Sequence, residues 1–189
     1  MVKLISSYII VVVILFQSCS LKKANKEEYE YTGTSYSKNI GKYSFKLTPF
    51  DSKKLIALNY KDELERISNA EKDSIQKEYD NYLCFVLEIT IDGYTGDIVD
   101  FEEQNMESDY NKRLNYFLTE MQNDLILKDS KGIDTPCNIY YFQRLSELAK
   151  TNKFIVGFSK PSSNEITFQY KNSLLKCGTI NFSFNKNNI

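Results

Sequence analysis

Cysteines, carboxylates and tyrosines are the side chains of this 189-residue chain that could perform specific chemistry, because the sequence contains no histidine. Without histidine, the Ser-His-Asp and Cys-His catalytic arrangements, histidine-ligated zinc and the usual proton shuttle near neutral pH are excluded. The sequence also lacks the phosphate-binding patterns GxGxxG and GxxxxGKS/T and the metal or redox pattern CxxC. It therefore predicts no enzyme activity, no cofactor and no metal site.

Cys19 lies at a sharp boundary between an apolar and a polar segment. Lys3 precedes the largely apolar residues 4–16, Ser18 is the small residue directly before Cys19, and residues 20–28 are mostly polar. The apolar run has the length of a secretory signal, ~7–15 residues, and is shorter than the ~20 residues that a membrane-spanning helix needs. We therefore predict that residues 1–18 are a signal peptide.

Residues 15–19, Leu-Phe-Gln-Ser-Cys, resemble the lipobox of bacterial lipoprotein precursors, although the family usually has leucine in place of Phe16 and a small residue in place of Gln17. The resemblance implies that Cys19 becomes a lipid-modified amino terminus, with a thioether-linked diacylglycerol and an amide-linked acyl chain such as palmitate. Since each buried methylene contributes ~0.8 kcal/mol, several acyl chains would hold the protein on a membrane. Ser20 after the cysteine implies the outer membrane or the cell surface rather than the inner membrane. An ordinary secretory signal with an incidental Cys19, or an uncleaved amino-terminal anchor, fits the same residues.

The composition indicates one folded domain behind a polar segment. Aromatic residues make up 14% of the chain, with 14 Tyr and 12 Phe, which supports a proper core and argues against wholesale disorder. The 24 basic and 25 acidic residues nearly cancel, so charge does not favour a nucleic-acid partner. We predict that residues 19–41 are the lipidated amino terminus and a flexible tether, and that residues 42–189 are a single β-rich domain. Residues 29–35 could instead add an edge strand.

The first half of this domain combines a strand and a helix. Apolar and polar side chains alternate over residues 43–48 and predict a half-buried strand, which Pro49 ends. A polar stretch with a narrow apolar stripe predicts a surface helix over residues 62–82. Ser68 and Glu71 have the spacing of a capping box within it.

The middle of the chain changes to β periodicity. Residues 83–91 alternate over their whole length and predict the strongest strand. The Asp-Gly pair at 92–93 predicts a two-residue hairpin turn into a strand over residues 94–101. Residues 107–121 fit a second short helix, and they also fit a strand through residues 114–118.

The last third of the chain predicts short strands separated by turns, at residues 125–127, 138–143, 153–158, 165–170 and 179–184. This spacing favours an antiparallel sandwich. The same region resembles the immunoglobulin-like domains of extracytoplasmic bacterial lipoproteins, with Asp129 and Gly132 at a D-x-x-G turn and residues 157–161 at a G-x-x-x-P loop. The resemblance implies a mainly β, immunoglobulin-like sandwich with the 62–82 helix on its surface.

Three cysteines remain for the exported part of the chain. Export permits disulfides, and an odd number leaves one thiol unpaired. The sequence favours a disulfide between Cys137 and Cys177, with Cys84 and Cys177 as the alternative pair; three reduced thiols also fit.

The other candidate sites are an acidic run and a tyrosine pair. The acidic run consists of Asp97, Asp100, Glu102, Glu103, Glu107 and Asp109. It could bind calcium or perform acid–base chemistry on a glycan, but a solvated polar loop is the favoured interpretation. Strand alternation predicts that at least one of Tyr140 and Tyr141 faces outward, where a tyrosine could contact a glycan or a protein.

Taken together, these features predict a membrane-anchored lipoprotein of the cell envelope that acts as a non-catalytic binding or structural module. Its membrane contact would be the lipid on Cys19, and its partner an unidentified protein or glycan. The alternatives are an inhibitor or immunity-type lipoprotein that occludes a protein partner, and a carboxylate-dependent enzyme acting on glycans.

Overall fold

The computed structural model describes residues 34–60, 63–103, 106–144 and 149–188, which belong to one compact unit, Tyr31–Ile189. Eight strands lie in this part of the chain: β1 (Tyr36–Ile40), β2 (Tyr43–Phe50), β3 (Tyr82–Ile91), β4 (Leu125–Asp129), β5 (Asp134–Gln143), β6 (Thr151–Ser159), β7 (Glu165–Tyr170) and β8 (Ile180–Asn185). The helices are α1 (Ser52–Asn59), α2 (Asn69–Tyr79) and α3 (Tyr110–Leu118), with 3₁₀ segments at Glu120–Asp124 and Lys186–Asn188.

The eight strands form one sheet in the order β1-β2-β3-β6-β5-β4-β7-β8, and all neighbours in it are antiparallel. The two edge strands approach each other, because the ring of Tyr36 in β1 stacks on that of Phe184 in β8 with centroids 5.1 Å apart. The sheet is therefore nearly closed and barrel-like. The prediction of a mainly β, antiparallel domain is confirmed, whereas the finer prediction of an immunoglobulin-like sandwich is not.

Aromatic side chains fill the inside of the sheet. Alternate residues of each strand face inward, and their rings pack edge to face from opposite sides of the fold. Phe85 of β3 is the centre of this arrangement, with ring centroids 5.9 Å from Phe168 and 5.4 Å from Phe184. A smaller apolar cluster lies outside the sheet under α1 and includes Leu55 and Ile155.

The predicted hairpin after β3 is wrong. The chain does turn at Gly93, which has φ +73°, but β3 already has β2 along one edge and β6 along the other, so no edge is left for the next segment. Residues 94–101 instead form an irregular loop that covers the core with Ile98 and Val99. The buried Asn152 of β6 holds this loop by accepting a hydrogen bond from the Ile98 N–H at 3.0 Å.

The first strand is longer than predicted, and another strand precedes it. β2 continues through Pro49, which pairs with Phe85 of β3. Proline is tolerated there because β1 begins at Tyr36, opposite Leu47, and does not run alongside Pro49, so this edge of β2 is unpaired at Pro49. β1 itself lies inside residues 19–41, the predicted tether, so the folded part starts before residue 42. Residues 1–33, including the predicted signal peptide and Cys19, lie outside the described residues.

Both predicted helical regions contain a helix, but the helices are shorter than predicted. The predicted 62–82 helix is α2, which has no buried residue and thus lies on the surface as expected. Its capping box is confirmed, since Ser68 N–H donates to Glu71 Oε2 at 2.8 Å and Ser68 Oγ accepts from Glu71 N–H at 3.3 Å. Residues 107–121 contain α3 and the start of the following 3₁₀ segment, so the helical interpretation is the right one. The five predicted strands of the last third correspond to β4 through β8.

Candidate functional site: a polar groove beside α3

α3 separates a buried face from a polar outer face. Asp109 caps its amino terminus, because its Oδ1 accepts the backbone N–H of Asn111 at 2.8 Å. The buried residues of this helix are Arg113, Tyr116 and Phe117. The outer face includes the exposed polar side chains Asn111, Lys112 and Asn115, and Tyr110 and Leu118 at the two ends of the helix are exposed as well.

Arg113 is only 2% exposed and holds the chain segments around α3. Its Nε donates to Val99 O at 2.8 Å, and one terminal nitrogen donates to Glu107 O at 2.9 Å and to Ser108 O at 2.8 Å. The other terminal nitrogen lies 3.0 Å from the Glu102 carboxylate. Because a guanidinium presents a rigid set of donors, these bonds fix two loop segments relative to the helix.

The Asp124 carboxylate accepts three hydrogen bonds next to α3. Its Oδ2 accepts the Tyr116 hydroxyl at 2.6 Å, the Ser173 N–H at 2.9 Å and the Ser173 hydroxyl at 2.6 Å. The Tyr116 oxygen also lies 3.2 Å from the hydroxyl of Tyr170. Burial, and for Tyr116 also the bond to Asp124, raises the pKa of both tyrosines well above the ordinary value, so both stay protonated. This network ties the loop at residue 173 to α3.

A groove of about 440 Å³ lies between these elements. Its lining comes from the loop before α3, the helix itself, the 3₁₀ segment and the loop after β7: Glu107, Asn111, Lys112, Asn115, Tyr116, Glu120, Ser173 and Leu174. Lys112 Nζ lies 3.3 Å from Glu107 Oε2, and Asn115 Nδ2 donates to Glu120 Oε1 at 2.5 Å. The Asp109 N–H and Lys112 lower the pKa of Glu107, so this carboxylate is ionised at neutral pH. The groove therefore presents donors and acceptors side by side.

The acidic run does not converge into one site. Asp97 is buried and accepts from Arg144 Nε at 2.6 Å and from the Val99 N–H at 3.0 Å. Glu103 accepts from Lys42 at 2.9 Å and from the Tyr43 hydroxyl at 2.6 Å. Glu102, Glu107 and Asp109 have the partners given above. Among residues 34–60, 63–103, 106–144 and 149–188, no three His, Cys, Asp or Glu side chains are placed to hold a metal ion. Most of the run thus anchors loops, so the expectation of a solvated loop is wrong for Asp97 in particular.

The predicted disulfide between Cys137 and Cys177 is not formed, because Cys84, Cys137 and Cys177 are all free thiols. Cys137 is buried in β5 and donates to Ile139 O at 3.0 Å, whereas Cys177 lies before β8. In the sheet order, β4 and β7 stand between β5 and β8. Burial raises the pKa of Cys84 to about 11 and that of Cys137 to about 12.

One of the two neighbouring tyrosines, Tyr140 and Tyr141, faces outward, as predicted. Tyr140 is half-buried and donates its hydroxyl to Phe117 O at 2.5 Å, whereas Tyr141 is 57% exposed. Tyr141 borders a second groove of about 250 Å³ whose other lining residues are mostly apolar and include Leu55 of α1.

Arg113 and Asp124 are the residues that the sequence reasoning missed. A signal for Arg113 existed, since it is one of three arginines and lies on the apolar stripe of its helix, next to Leu114 and Phe117. No comparable pattern marks Asp124, whose partner Ser173 is remote in sequence.

The described part of the chain is a mainly β domain. Its antiparallel sheet is nearly closed, and a polar groove lies on its outside. None of the helices in the described residues is long and apolar enough to cross a membrane. No protein-family model matches the chain, and no curated protein or solved structure resembles it at a significant level.

Proposed function

We propose that this protein is a lipid-anchored lipoprotein of the cell envelope that acts as a non-catalytic binding module. The observation on which the proposal rests is the position of Cys19, directly between the apolar residues 4–16 and the polar residues 20–28. The lipid on Cys19 would hold the protein at the outer membrane or the cell surface. The resemblance to immunoglobulin-like lipoprotein domains remains a prediction, and the proposal does not need it.

Two features of the folded unit support a binding role over catalysis. Two of the acidic side chains that a glycan-cleaving enzyme could use are engaged in structural bonds: Asp97 with Arg144, and Glu103 with Lys42 and Tyr43. The core is filled by interlocking rings, which leaves the outer surface for contacts with a ligand. A tethered domain that binds through its surface fits both features.

The anchor is tested by metabolic labelling with a palmitate analogue followed by membrane fractionation. The wild-type chain and a Cys177→Ser control are expected to incorporate the label and to sediment with membranes, whereas Cys19→Ser loses both properties. The control removes a half-buried cysteine far along the chain and leaves Cys19 in place. Labelling of Cys19→Ser at the wild-type level, together with membrane retention, would overturn the proposal.

A further inference from the structure

The groove beside α3 has unused hydrogen-bonding capacity of both kinds. The side chain of Asn111 makes no hydrogen bond to any described residue, so its amide can donate and its carbonyl can accept. Lys112 uses one of its three N–H groups on Glu107, and Glu120 uses one carboxylate oxygen on Asn115. The Ser173 hydroxyl donates to Asp124, which leaves its oxygen free to accept.

Because the groove offers both free hydrogen-bond donors and free acceptors, it favours a ligand that can donate as well as accept hydrogen bonds. A phosphate or another anion would only accept, and it would face two carboxylates against one lysine. A simple cation would be coordinated by the oxygen lone pairs alone, and the Lys112 ammonium would repel it. A hydroxyl group does both, and several hydroxyls on one small molecule match the free donors and acceptors that line the groove. Leu174, which is partly buried, adds apolar surface for the C–H face of a ring.

We propose that the groove beside α3 binds a short neutral oligosaccharide, and this inference rests on the proposed function of a surface-exposed binding module. The volume of about 440 Å³ lies in the range of ~300–1,000 Å³ that small-ligand sites occupy. Asn111 and Asn115 are one turn apart on α3, so their side chains lie along the same wall of the groove. Asn111 is the residue that contacts the ring hydroxyls, since Asn115 already donates to Glu120 and accepts from Thr119.

Hydrogen bonds hold two sides of the groove in place before any ligand arrives. Arg113 fixes the backbone of Glu107 on one side, and Asp124 holds Tyr116 and Ser173 on the other. A preorganised site loses less conformational freedom on binding than a flexible one. Shallow contact with a few hydroxyl groups can then give a specific, weak interaction.

The test is saturation-transfer difference NMR on the processed protein, purified from whichever cell fraction contains it and, where a detergent is needed, in one without a sugar headgroup. The probes are maltotriose, cellotriose and triacetylchitotriose, with triglycine as the non-saccharide comparison. Saturable transfer to at least one trisaccharide and none to triglycine is expected. Asn111→Ala should weaken that binding about fivefold to tenfold, as the loss of one or two hydrogen bonds does.

The matched control is Asn69→Ala, which removes another exposed helical asparagine, on α2, and should leave binding unchanged. Absence of saturable transfer with all three sugars would overturn the inference, and so would equal binding by the wild-type chain and Asn111→Ala. A protein that labels at Cys19 and fails this test loses only the oligosaccharide site. Failure at Cys19 with sugar binding intact would instead remove the anchor and keep the groove.

Discussion

Replacing Arg113 by Met tests whether this buried side chain holds the loops around α3. Methionine keeps much of the apolar stem and removes the guanidinium, so the change isolates the hydrogen bonds. Val99 O then loses its partner in a buried place, which costs about 1–3 kcal/mol. The carbonyls of Glu107 and Ser108 are partly buried, so water compensates for some of their loss. We expect the free energy of unfolding to fall by about 2–4 kcal/mol in total.

The measurement is urea unfolding followed by circular dichroism and tyrosine fluorescence, with Arg66→Met as the control. Arg66 is exposed, so its replacement should change the stability by less than about 0.5 kcal/mol. Arg113→Lys should give an intermediate loss, because an ammonium cannot reproduce the fork of donors. Equal midpoints for Arg113→Met and Arg66→Met would refute the reasoning.

Salt separates the carbonyl bonds of Arg113 from its ion pair. The Glu102 side chain is 71% exposed, so this pair contributes about 0–1 kcal/mol and weakens as salt is added. Bonds to buried carbonyls respond little to salt. We therefore expect the loss in Arg113→Met to be the same in low and high salt, and Glu102→Gln to have a small effect. If Glu102→Gln reproduced the full loss, the ion pair and not the carbonyl bonds would hold the loop.

Three further predictions concern the rest of the fold. A chain that starts at Lys42 lacks β1 and should unfold at a lower temperature than one that starts at residue 31; equal melting temperatures would show that β1 is dispensable. Gly157→Ala should destabilise by about 1–3 kcal/mol in urea unfolding, since a Cβ there would lie 2.9 Å from a neighbouring isoleucine Cβ; an unchanged midpoint would mean that the strands shift freely. In the native protein at pH 8, Cys177 should react with a thiol reagent before Cys84 and Cys137, because their pKa values of about 11 and about 12 leave almost no thiolate. The reaction of Cys84 and Cys137 should accelerate as the pH rises. Equal rates for all three cysteines would contradict the conclusion that Cys84 and Cys137 are buried.

Local sequence patterns predicted the structure correctly where an element is determined by residues that are close together in the sequence. The capping box at Ser68 needs only the residues within one helical turn, and it formed as predicted. The alternation of β7 and β8 likewise reflects one buried and one exposed face of each strand. In each case the signal and the structure share the same short stretch of chain.

Long-range partners explain the errors. The Asp-Gly turn after β3 is real, but β2 and β6 occupy both edges of that strand, and no local pattern reveals this. The strand in the predicted tether was missed because β1 is exposed over most of its length and shows little alternation. Closure of the sheet depends on the contact between Tyr36 and Phe184, which are far apart in sequence. The groove was missed for the same reason, since Asp124 joins α3 to a loop that follows β7.

The anchoring of α3 couples the candidate groove to the stability of the fold. The helix contributes Phe117 to the core and Arg113 to the loop bonds, while its outer face lines the groove. Any ligand that contacts both Asn111 and Ser173 bridges α3 and the loop after β7, which Asp124 also joins. Such a ligand binds the folded state alone and therefore raises the free energy of unfolding. Once the ligand concentration exceeds the dissociation constant, this free energy increases with the logarithm of the concentration. A sugar that binds this groove should therefore stabilise the protein against urea, and a sugar that binds elsewhere should still do so in Asn111→Ala.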